Sequence, residues 1–580
     1  MKTVKLTING IAVEVPEGST ILEAANAAGI RIPTLCYLKD VNAIGACRMC
    51  LVEVKGAKAY CAACVYPVTE GMEVNTNSPA IIKARKGTLE LILSNHRMEC
   101  LSCVRSTDCE LQALCREYGV DQNRFINSDR DPEIDDSAIH LIRDNSKCVL
   151  CRRCIAVCKK NQYVGVIGAN ERGYDTHISS AFDMPLSSTA CINCGQCISV
   201  CPTGALTERD DTDKVWKAIN DPTKHVVMAA APSVRAQLGE CFGMPIGTNV
   251  EGKMIAAMRR LGVDRVFDVD NAADITIMEE GTELLNRLKN GGKLPLITSC
   301  SPGWVKFCET YYPDFIENVS TCKSPQGMFG ALTKSYYAEK AGIDPKDIFV
   351  VSIMPCTAKK FEVSRPEMNA TGYRDIDVSL TTRELASMIK RAGIMFNELP
   401  DETADPFLGI ASGAADIFGA TGGVMEAALR TVYEVVTGKE CPSVDFTEVR
   451  GVEGIKEAEY DLNGTKVKVA VTSGLSNAAK LLDMIRSGEK DYTFVEVMCC
   501  PGGCVKGGGQ PHQPGYVHNF TDLRAERAKA LYSEDAAKTL RKSHENPEVK
   551  ALYEEFLGEP NSHKAHELLH THYTKRELYN

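Results

Sequence analysis

The sequence predicts a multidomain protein of mixed α/β and α+β class, in which small cysteine-rich domains precede one large α/β domain. Three observations lead to this prediction. The chain has 580 residues, enough for about four domains of ordinary size. It contains 26 cysteines, most of them in short-spaced clusters before residue 202. After residue 210, apolar strand-like segments alternate with helical ones, which is the pattern of an α/β domain.

Composition and the N-terminus exclude several classes of protein. Hydrophobic residues make up 44% of the chain and charged residues 24%, which excludes collagen-like and wholly disordered chains. No run of about 18 apolar residues occurs, and the first residues alternate like a strand instead of forming the apolar block of a signal peptide. The formal net charge of −10, without runs of Lys or Arg, argues against nucleic acid as a partner. We therefore expect a cytoplasmic protein without membrane insertion, in which the cysteines are metal ligands or catalytic groups and not a disulfide framework.

The first domain, residues 1–80, is predicted to be small and β-rich. VKLTI and IAVEV flank Asn9-Gly10, a type I′ hairpin signal, and Thr20 with Glu23 forms a capping box for a helix. A loop-rich stretch follows, with four cysteines spaced Cx10CxxCx13C that suit a [2Fe–2S] cluster: Cys36, Cys47, Cys50 and Cys64. Together these features resemble a plant-type ferredoxin with a β-grasp fold. A structural zinc site is the alternative, and Cys61 competes with Cys64 as fourth ligand; we prefer Cys64 by resemblance to related domains.

The second predicted domain, residues 81–120, combines a histidine with three cysteines. An apolar helical stretch leads into His96, which is followed by Cys100, Cys103 and Cys109. A lone histidine is usually an ordinary surface or core residue. This set, however, resembles the His/Cys3 [4Fe–4S] site of the complex I large electron-transfer subunit and of some hydrogenases, which implies that His96 is a ligand.

The third predicted domain, residues 138–210, contains the only clear internal repeat. CVLCRRCIAVC and CINCGQCISVCP both match the CxxCxxCxxxC run of bacterial 2[4Fe–4S] ferredoxins. In such pairs the fourth cysteine of each run binds the other cluster. This rule predicts one [4Fe–4S] site from Cys148, Cys151, Cys154 and Cys201, and a second one from Cys158, Cys191, Cys194 and Cys197.

No nucleotide site is readable in the chain. The glycine-rich segments FGATGG and GGGQP both lack the strand, GxGxxG and helix context of a dinucleotide-binding fold. Electrons must therefore be exchanged with another molecule, and the chemistry must be sought after residue 210.

Residues 220–580 are predicted to form the catalytic α/β domain. The segments GVDRVFDVD, LPLITSC, DIFVVSIMPC and YTFVEVMCC each read as an apolar strand, and the last three end at cysteines. Ligands gather at the carboxyl ends of parallel strands, so these cysteines are expected to converge around a buried cofactor.

Three motifs in this domain carry a specific resemblance. TSCSPGW (298–304), MPCTAKKFE (354–362) and EVMCCPGGCVKGGGQP (496–511) closely match the signature motifs of [FeFe]-hydrogenases. The cysteine-rich front also matches, so the chain resembles the large, four-accessory-cluster type of this family over essentially its whole length. The resemblance implies an H-cluster, which is a [4Fe–4S] cubane joined to a binuclear iron unit with CO, CN⁻ and azadithiolate, and it implies reversible H2 oxidation and proton reduction.

The same resemblance implies roles for individual residues. Cys356, Cys500 and Cys504 match cubane ligands, Cys504 being the bridge to the binuclear unit, and Lys359 matches the residue that binds a cyanide. The positions that match the lining of the cofactor pocket are Ala231, Pro232, Ser233, Gln326, Met354, Phe418 and Met498. The positions that match the proton path are Glu280, Glu283, Ser320 and Arg287. Without the resemblance, a glutamate at helical spacing would be taken for part of a solvated face.

One position departs from the family pattern TSCCPxW, because Cys300 is followed here by Ser301, while an additional Cys499 precedes Cys500. Either Cys300 anchors the cubane and Ser301 relays protons, or Cys300 relays and the anchor is Ser301 or Cys499. Thiolate suits the iron of a cluster better than a hydroxyl that must be deprotonated, which favours a cysteine. The role of Cys300 stays open at this point.

Three functions are compatible with the sequence. The first is the catalytic subunit of an NAD(P)H-linked hydrogenase, coupled to ferredoxin in an electron-bifurcating complex, whose flavin- and NAD(P)-binding Fe–S subunits are separate chains. The second is a stand-alone hydrogenase that uses soluble ferredoxin. The third is a non-catalytic H2 sensor or Fe–S scaffold, which Lys359 and the intact MPC and GGC motifs argue against.

Overall fold

The computed structural model describes residues 2–120, 124–125, 134–451, 454–462 and 465–579. Within these ranges the chain forms five β-sheets and the helices that cover them. None of the described helices is both long and apolar enough to cross a membrane.

The N-terminal domain is one mixed sheet with a helix packed against it. Its strand order is β2-β1-β5-β3-β4. Asn9 and Gly10 both have positive φ, 51° and 83°, and make the predicted tight turn between β1 and β2. The predicted capping box is present, because Thr20 and Glu23 exchange side-chain and backbone hydrogen bonds at the start of α1. The elements are β1 (Thr3–Ile8), β2 (Ile11–Pro16), α1 (Ile21–Ala27), β3 (Leu51–Val54), β4 (Cys61–Ala62) and β5 (Glu73–Asn75).

Two helices carry the His/Cys region. Ser78 caps α2 (Pro79–Leu93) by accepting a hydrogen bond from the backbone N–H of Ile81, and proline occupies the first helical position. Cys109 is the N-cap residue of α3 (Glu110–Tyr118), which Gly119 ends in the left-handed conformation. His96 therefore lies in the loop that connects the two helices.

The repeat in the third domain is also a repeat of backbone conformation. Leu150 and Arg152 have positive φ in the first cysteine run, and Asn193 and Gly195 have positive φ at the equivalent places of the second. A one-turn helix follows each time, α4 (Arg153–Ala156) and α5 (Gln196–Ser199). The strands of this domain, in sheets ordered β10-β7-β6 and β8-β9, are β6 (Ile134–Asp135), β7 (Leu141–Asp144), β8 (Ile167–Asn170), β9 (His177–Ser180) and β10 (Leu206–Glu208).

The strands of the predicted C-terminal α/β domain form two four-stranded sheets. The first sheet, ordered β12-β11-β14-β15, is parallel throughout. In the second sheet, ordered β13-β18-β17-β16, only β16 is antiparallel to its neighbour. The strands are β11 (His225–Ala230), β12 (Arg265–Asp268), β13 (Leu296–Ile297), β14 (Ile348–Met354), β15 (Val378–Thr381), β16 (Ile455–Leu462), β17 (Thr465–Ser473) and β18 (Phe494–Met498).

One long helix connects the apolar cores of the two sheets. It begins at Val269, because the Asp268 side chain accepts the N–H of Asp270 as a cap, so the strand predicted through residue 270 ends earlier. Ile275 of this helix packs in the core of the first sheet and Ile277 in that of the second. The helices of the domain are α6 (Thr212–Ile219), α7 (Pro232–Arg235), α8 (Glu251–Arg260), α9 (Val269–Asn290), α10 (Pro302–Tyr311), α11 (Pro325–Leu332), α12 (Ala338–Ala341), α13 (Ala358–Glu362), α14 (Thr382–Arg391), α15 (Gly413–Asp416), α16 (Gly423–Thr437), α17 (Leu475–Arg486), α18 (Gly515–Phe520), α19 (Leu523–Ala537), α20 (Pro547–Leu552) and α21 (His563–Leu569).

Candidate metal centres and active-site cavity

The four cysteines predicted for the first cluster lie together as two close pairs. The backbone N–H of Cys36 lies 3.4 Å from the sulfur of Cys47, and the sulfurs of Cys50 and Cys64 are 3.3 Å apart. A hydrogen bond from the Cys47 thiol lowers the pKa of Cys36 to about 7. The thiol of Cys61 is directed elsewhere, to the carbonyl of Ala59. Two pairs of sulfurs suit a two-iron cluster, in which each iron takes two thiolates.

The His/Cys3 residues lie against the loop that carries Cys201. The thiol of Cys109 donates to the carbonyl of Pro202 at 3.6 Å, and a Cβ on Gly204 would lie only 2.8 Å from the sulfur of Cys103. Burial lowers the pKa of His96, and its buried Nδ1 has no hydrogen-bond partner among the described residues. A neutral imidazole with a free nitrogen fits a metal ligand.

The two remaining accessory sets also come together as the ferredoxin pattern requires. Cys148, Cys151, Cys154 and Cys201 line one small cavity. In the second set, burial and then the charges of Cys194, Cys191 and Cys158, with a smaller contribution from Cys201, raise the pKa of Cys197, so these thiols lie near one another. Burial raises the pKa of Cys148 and of Cys158 to about 12, because a buried thiolate is less stable than a buried thiol. Coordination to iron would stabilise the thiolate form.

Both outer sites are joined to the first of these sets by hydrogen bonds. The side-chain amide of Asn42 donates to the carbonyls of Cys36 and Cys151, at 2.9 and 3.0 Å. Arg153, which is 1% exposed, pairs with Glu110 at 2.7 Å. Its guanidinium also donates to the carbonyl of Tyr37. The loop with Cys36 and the loop with Cys109 therefore converge on one four-cysteine site, which is called the branch-point site below.

The second four-cysteine set lies against the catalytic domain. The hydroxyl of Thr357 donates to the carbonyl of Asn193 at 2.8 Å. A Cβ on Gly508 would lie 2.2 Å from the carbonyl oxygen of Cys194, and one on Gly195 would lie 2.3 Å from the Thr357 hydroxyl. Glycine is thus required on both sides of this contact, and the GGGQP segment serves close packing here.

A cavity lies where the carboxyl ends of strands from both sheets meet. Residues that follow β11, β13, β14 and β18 line it, and the lining is almost entirely apolar. All the predicted pocket residues and motif cysteines take part in this lining: Ala231, Pro232, Ser233, Cys300, Ser301, Gln326, Met354, Cys356, Lys359, Phe418, Met498, Cys499, Cys500 and Cys504.

Lys359 is held at the cavity wall by a buried hydrogen-bond network. Its ammonium donates to Ser324 Oγ at 2.7 Å, to Glu362 Oε2 at 2.9 Å and to the carbonyl of Cys300 at 3.2 Å. The same Glu362 oxygen accepts a bond from the Gln326 amide at 2.8 Å. Sequence reasoning assigned no role to Ser324 or Glu362, although the spacing of Lys359 and Glu362 at i and i+3 on a helix was a usable signal.

The acidic residues of α9 are buried, so the reading as a solvated face is wrong for them. Glu280 is 1% exposed. Among the described residues no well-formed hydrogen bond reaches its carboxylate oxygens, although the Ser320 side chain and the Ser299 backbone lie close enough to act against the rise in its pKa. Burial, followed by the negative charge of Glu283, raises the pKa of Glu280 to about 8. Glu283 accepts bonds from Ser320 Oγ at 2.8 Å and from the Arg287 guanidinium at 2.6 Å.

The three candidates for the fourth cubane ligand occupy different surroundings. Cys300 is followed by Ser301, whose hydroxyl accepts the backbone N–H of Cys499 at 3.2 Å. The sulfur of Cys499 accepts a hydrogen bond from the side-chain amide of Gln162 at 3.6 Å. No motif in the sequence indicates a role for Gln162, a fully buried residue of the third domain.

Comparisons with known proteins agree over the whole chain. Residues 224–508 match the family described as iron only hydrogenase large subunit, C-terminal domain, and residues 521–576 match the iron hydrogenase small subunit. Residues 1–79 match a 2Fe-2S iron-sulfur cluster binding domain, residues 85–124 the NADH-ubiquinone oxidoreductase-G iron-sulfur binding region, and residues 147–205 a 4Fe-4S dicluster domain.

Individual proteins show the same similarity. The chain is 49% identical to the NADP-reducing hydrogenase subunit HndD of Solidesulfovibrio fructosivorans, over 100% of both chains. It is 44% identical to iron hydrogenase 1 of Clostridium pasteurianum, over 99% of this chain and 100% of that one. The solved structure of apo [FeFe]-hydrogenase HydA1 from Chlamydomonas reinhardtii superposes with a TM-score of 0.57 at 43% identity, and covers 63% of this chain and 98% of that chain.

Proposed function

Since this chain belongs to the iron-only, or [FeFe], hydrogenase family and is an oxidoreductase that acts on hydrogen, we propose that it is the catalytic subunit of an NAD(P)H-linked hydrogenase complex. The observation that carries the proposal is the branched arrangement of accessory sites, in which two outer sites converge on one inner site. Two outer sites allow two electron carriers to be served by one cavity, as an electron-bifurcating enzyme requires. The end-to-end similarity to an NADP-reducing hydrogenase subunit supports the same assignment.

The cofactors we propose are one [2Fe–2S] cluster, three accessory [4Fe–4S] clusters and an H-cluster. The residues fit them: the thiols form sets of the required size, the Nδ1 atom of His96 lacks a hydrogen-bond partner among the described residues, and the large cavity is lined by Cys356, Cys500 and Cys504. The H-cluster would supply the splitting of H2 and the storage of its electrons. The protein would supply orientation, a dry cavity, a proton path and an electron path.

Lys359 would hold an anionic ligand of the cofactor in place. An ammonium at the wall of an apolar cavity forms a charge-assisted hydrogen bond, which is stronger there than in water. Glu362 and Ser324 orient the ammonium from behind. A cyanide on the binuclear unit is the ligand that this cation suits.

Protons would move between the cavity and the surface through Cys300, Glu280, Ser320, Glu283 and Arg287. Glu280 suits this task because a carboxyl with a pKa of about 8 can both accept and release a proton near neutral pH. Ser320 bonds to Glu283, and Arg287 bonds to the same carboxylate and contacts backbone carbonyls near the surface.

Electrons would pass between the cavity and the Cys158/Cys191/Cys194/Cys197 site, where Gly508 and Gly195 permit direct contact. From there they would reach the branch-point site and then the two outer sites. Within this arrangement we propose domain limits of 1–80, 81–120, 138–210 and 220–580. We also propose a cytoplasmic location, because 26 cysteines without a disulfide suit a reducing compartment.

The proposal is tested with the full chain matured in the presence of the H-cluster assembly proteins. We expect infrared bands of CO and CN⁻, and H2 evolution from reduced viologen. The isolated chain should not oxidise NAD(P)H, whereas the complex purified with its flavin-binding Fe–S subunits should do so. Missing infrared bands would contradict an H-cluster, and NAD(P)H oxidation by the isolated chain would contradict the need for a partner.

A stand-alone, ferredoxin-linked hydrogenase is the second candidate, and the similarity to iron hydrogenase 1 favours it. It predicts full turnover with reduced ferredoxin and no flavoprotein in the native complex. Purification of the native protein followed by flavin analysis separates the two. A non-catalytic H2 sensor is less well supported, because the network behind Lys359 is complete.

A further inference from the structure

The cubane of the proposed cofactor needs four protein ligands, and only three are evident. Cys356, Cys500 and Cys504 line one cavity. Cys300, Ser301 and Cys499 line the same cavity and compete for the fourth place. We propose that Cys499, and not Ser301 or Cys300, is the fourth protein ligand of the cubane. This inference rests on the proposed function and specifies one contact within it.

Cys300 lies on the proton side of the cavity. The acidic groups that act most strongly on its thiol are Glu280, Cys504 and Glu496. The thiol of Cys499, by contrast, lies within hydrogen-bonding reach of Cys500, a second evident ligand. Cys300 therefore lines the cavity within range of the Glu280 carboxylate, where a thiol can pass a proton.

Ser301 is already engaged as a neutral hydroxyl. Its oxygen accepts the backbone N–H of Cys499 at 3.2 Å. To bind iron it would have to lose a proton from a hydroxyl in an apolar cavity, and it would then offer a hard oxygen to an iron that prefers sulfur. The loss of this proton and the mismatch between oxygen and iron both disfavour serine as a ligand when a thiol lies next to it.

The surroundings of Cys499 suit a ligand thiolate. The residue is 3% exposed, and the side-chain amide of Gln162 donates to its sulfur at 3.6 Å. The backbone N–H of Leu475 bonds to the amide oxygen of Gln162, which turns the amide nitrogen towards the sulfur. Hydrogen bonds of this kind are among the factors that set the potential of a cluster.

The backbone opposite Cys499 leaves room for its sulfur. A Cβ on Gly303 would lie 2.7 Å from that sulfur, so any other residue there would force the thiol to move. Cys499 also lies within reach of the thiol of Cys194, a member of the second four-cysteine set, which lies against the catalytic domain. As a ligand, Cys499 would therefore bring the ligands of the two clusters into direct contact, which gives electrons a short path to the cubane.

The test uses the full chain produced without the assembly proteins of the binuclear unit, so that only cubane-type clusters are present. We compare C499A with S301A, and with C308A, which removes another thiol from the same apolar core. Iron content, Mössbauer spectra and EPR spectra are measured. We expect C499A to fall from about 18 to about 14 iron atoms per chain, or to show a three-iron signal, while S301A and C308A keep the full content.

Each other outcome overturns the proposal. Iron loss in S301A alone would show that serine is the ligand. Iron retention in both variants would assign the place to Cys300, and loss in both would show no preference. The EPR signal of the [2Fe–2S] cluster reports folding; if C499A lacks it, C499S replaces that variant, and a cubane spectrum unchanged from wild type overturns the proposal. Because infrared bands of the matured wild-type chain test the H-cluster itself, failure of this inference is distinguishable from failure of the proposed function.

Discussion

Replacement of Glu280 by glutamine should distinguish two effects of this carboxyl: its contribution to proton transfer, and the reduction of folding stability that follows from its burial. The folded protein raises the pKa of Glu280 from 4.5 to about 8, chiefly through burial. At 1.36 kcal/mol per pH unit, this shift corresponds to about 5 kcal/mol. Below pH 4.5 the carboxyl is protonated in both the folded and the unfolded chain, so its pKa shift does not change the free energy of unfolding. As the pH rises to 8, the unfolded chain loses its proton first, and the stability of the folded protein falls.

The variant E280Q cannot ionise, so it should avoid this loss. Its thermal unfolding midpoint should equal that of wild type near pH 4.5 and exceed it by several degrees near pH 8.5. H2 evolution from reduced viologen should fall by about 10²- to 10⁴-fold, as expected when one proton-transfer group is removed. The matched control is E554Q, which makes the same chemical change at an exposed position and should alter neither property.

Circular dichroism melts across this pH range and a viologen assay at each pH provide the measurements. The reasoning is refuted if E280Q and wild type show the same pH dependence of unfolding, because Glu280 would then be ionised in the folded protein. It is equally refuted if E280Q keeps wild-type turnover, since protons would then take another route.

Three further tests address other parts of the site. C64S should abolish the EPR signal of the [2Fe–2S] cluster, whereas C61S should leave it. The reason is that the sulfur of Cys64 pairs with that of Cys50, while the thiol of Cys61 is directed to the carbonyl of Ala59. The opposite result would exchange the roles of the two cysteines. G508A should slow electron transfer into the cavity and leave the CO and CN⁻ bands unchanged, because a methyl group there would lie 2.2 Å from the carbonyl oxygen of Cys194. The control G87A places its methyl group where no atom of the described residues lies within 4 Å, so it should behave as wild type. E362Q should shift the CN⁻ bands and reduce turnover at least tenfold, because the Lys359 ammonium would lose the carboxylate that holds it at the cavity wall. Unchanged bands would show that Glu362 does not position Lys359.

The local elements were predictable from the sequence because their signals are local. The Asn9-Gly10 turn and the Thr20 capping box each depend on residues no more than three apart, and both are present. The strand before α9 was predicted too long, because an aspartate cap at Asp268 overrides the apolar pattern. The buried state of Glu280 could not be predicted from its own segment, since helical spacing alone is equally consistent with a solvated face.

The kind of chemistry can be read from the sequence, because cysteine spacing within short loops restricts which clusters can form. Three motifs in the sequence also identified the family. Which residues are neighbours in space, in contrast, depends on the tertiary structure. It divided the strands between two sheets whose carboxyl ends share one cavity, it placed Glu362 behind Lys359, and it brought Gln162 of another domain to the sulfur of Cys499. These contacts join residues far apart in the chain, and they form only when burial of apolar surface fixes the domains against each other.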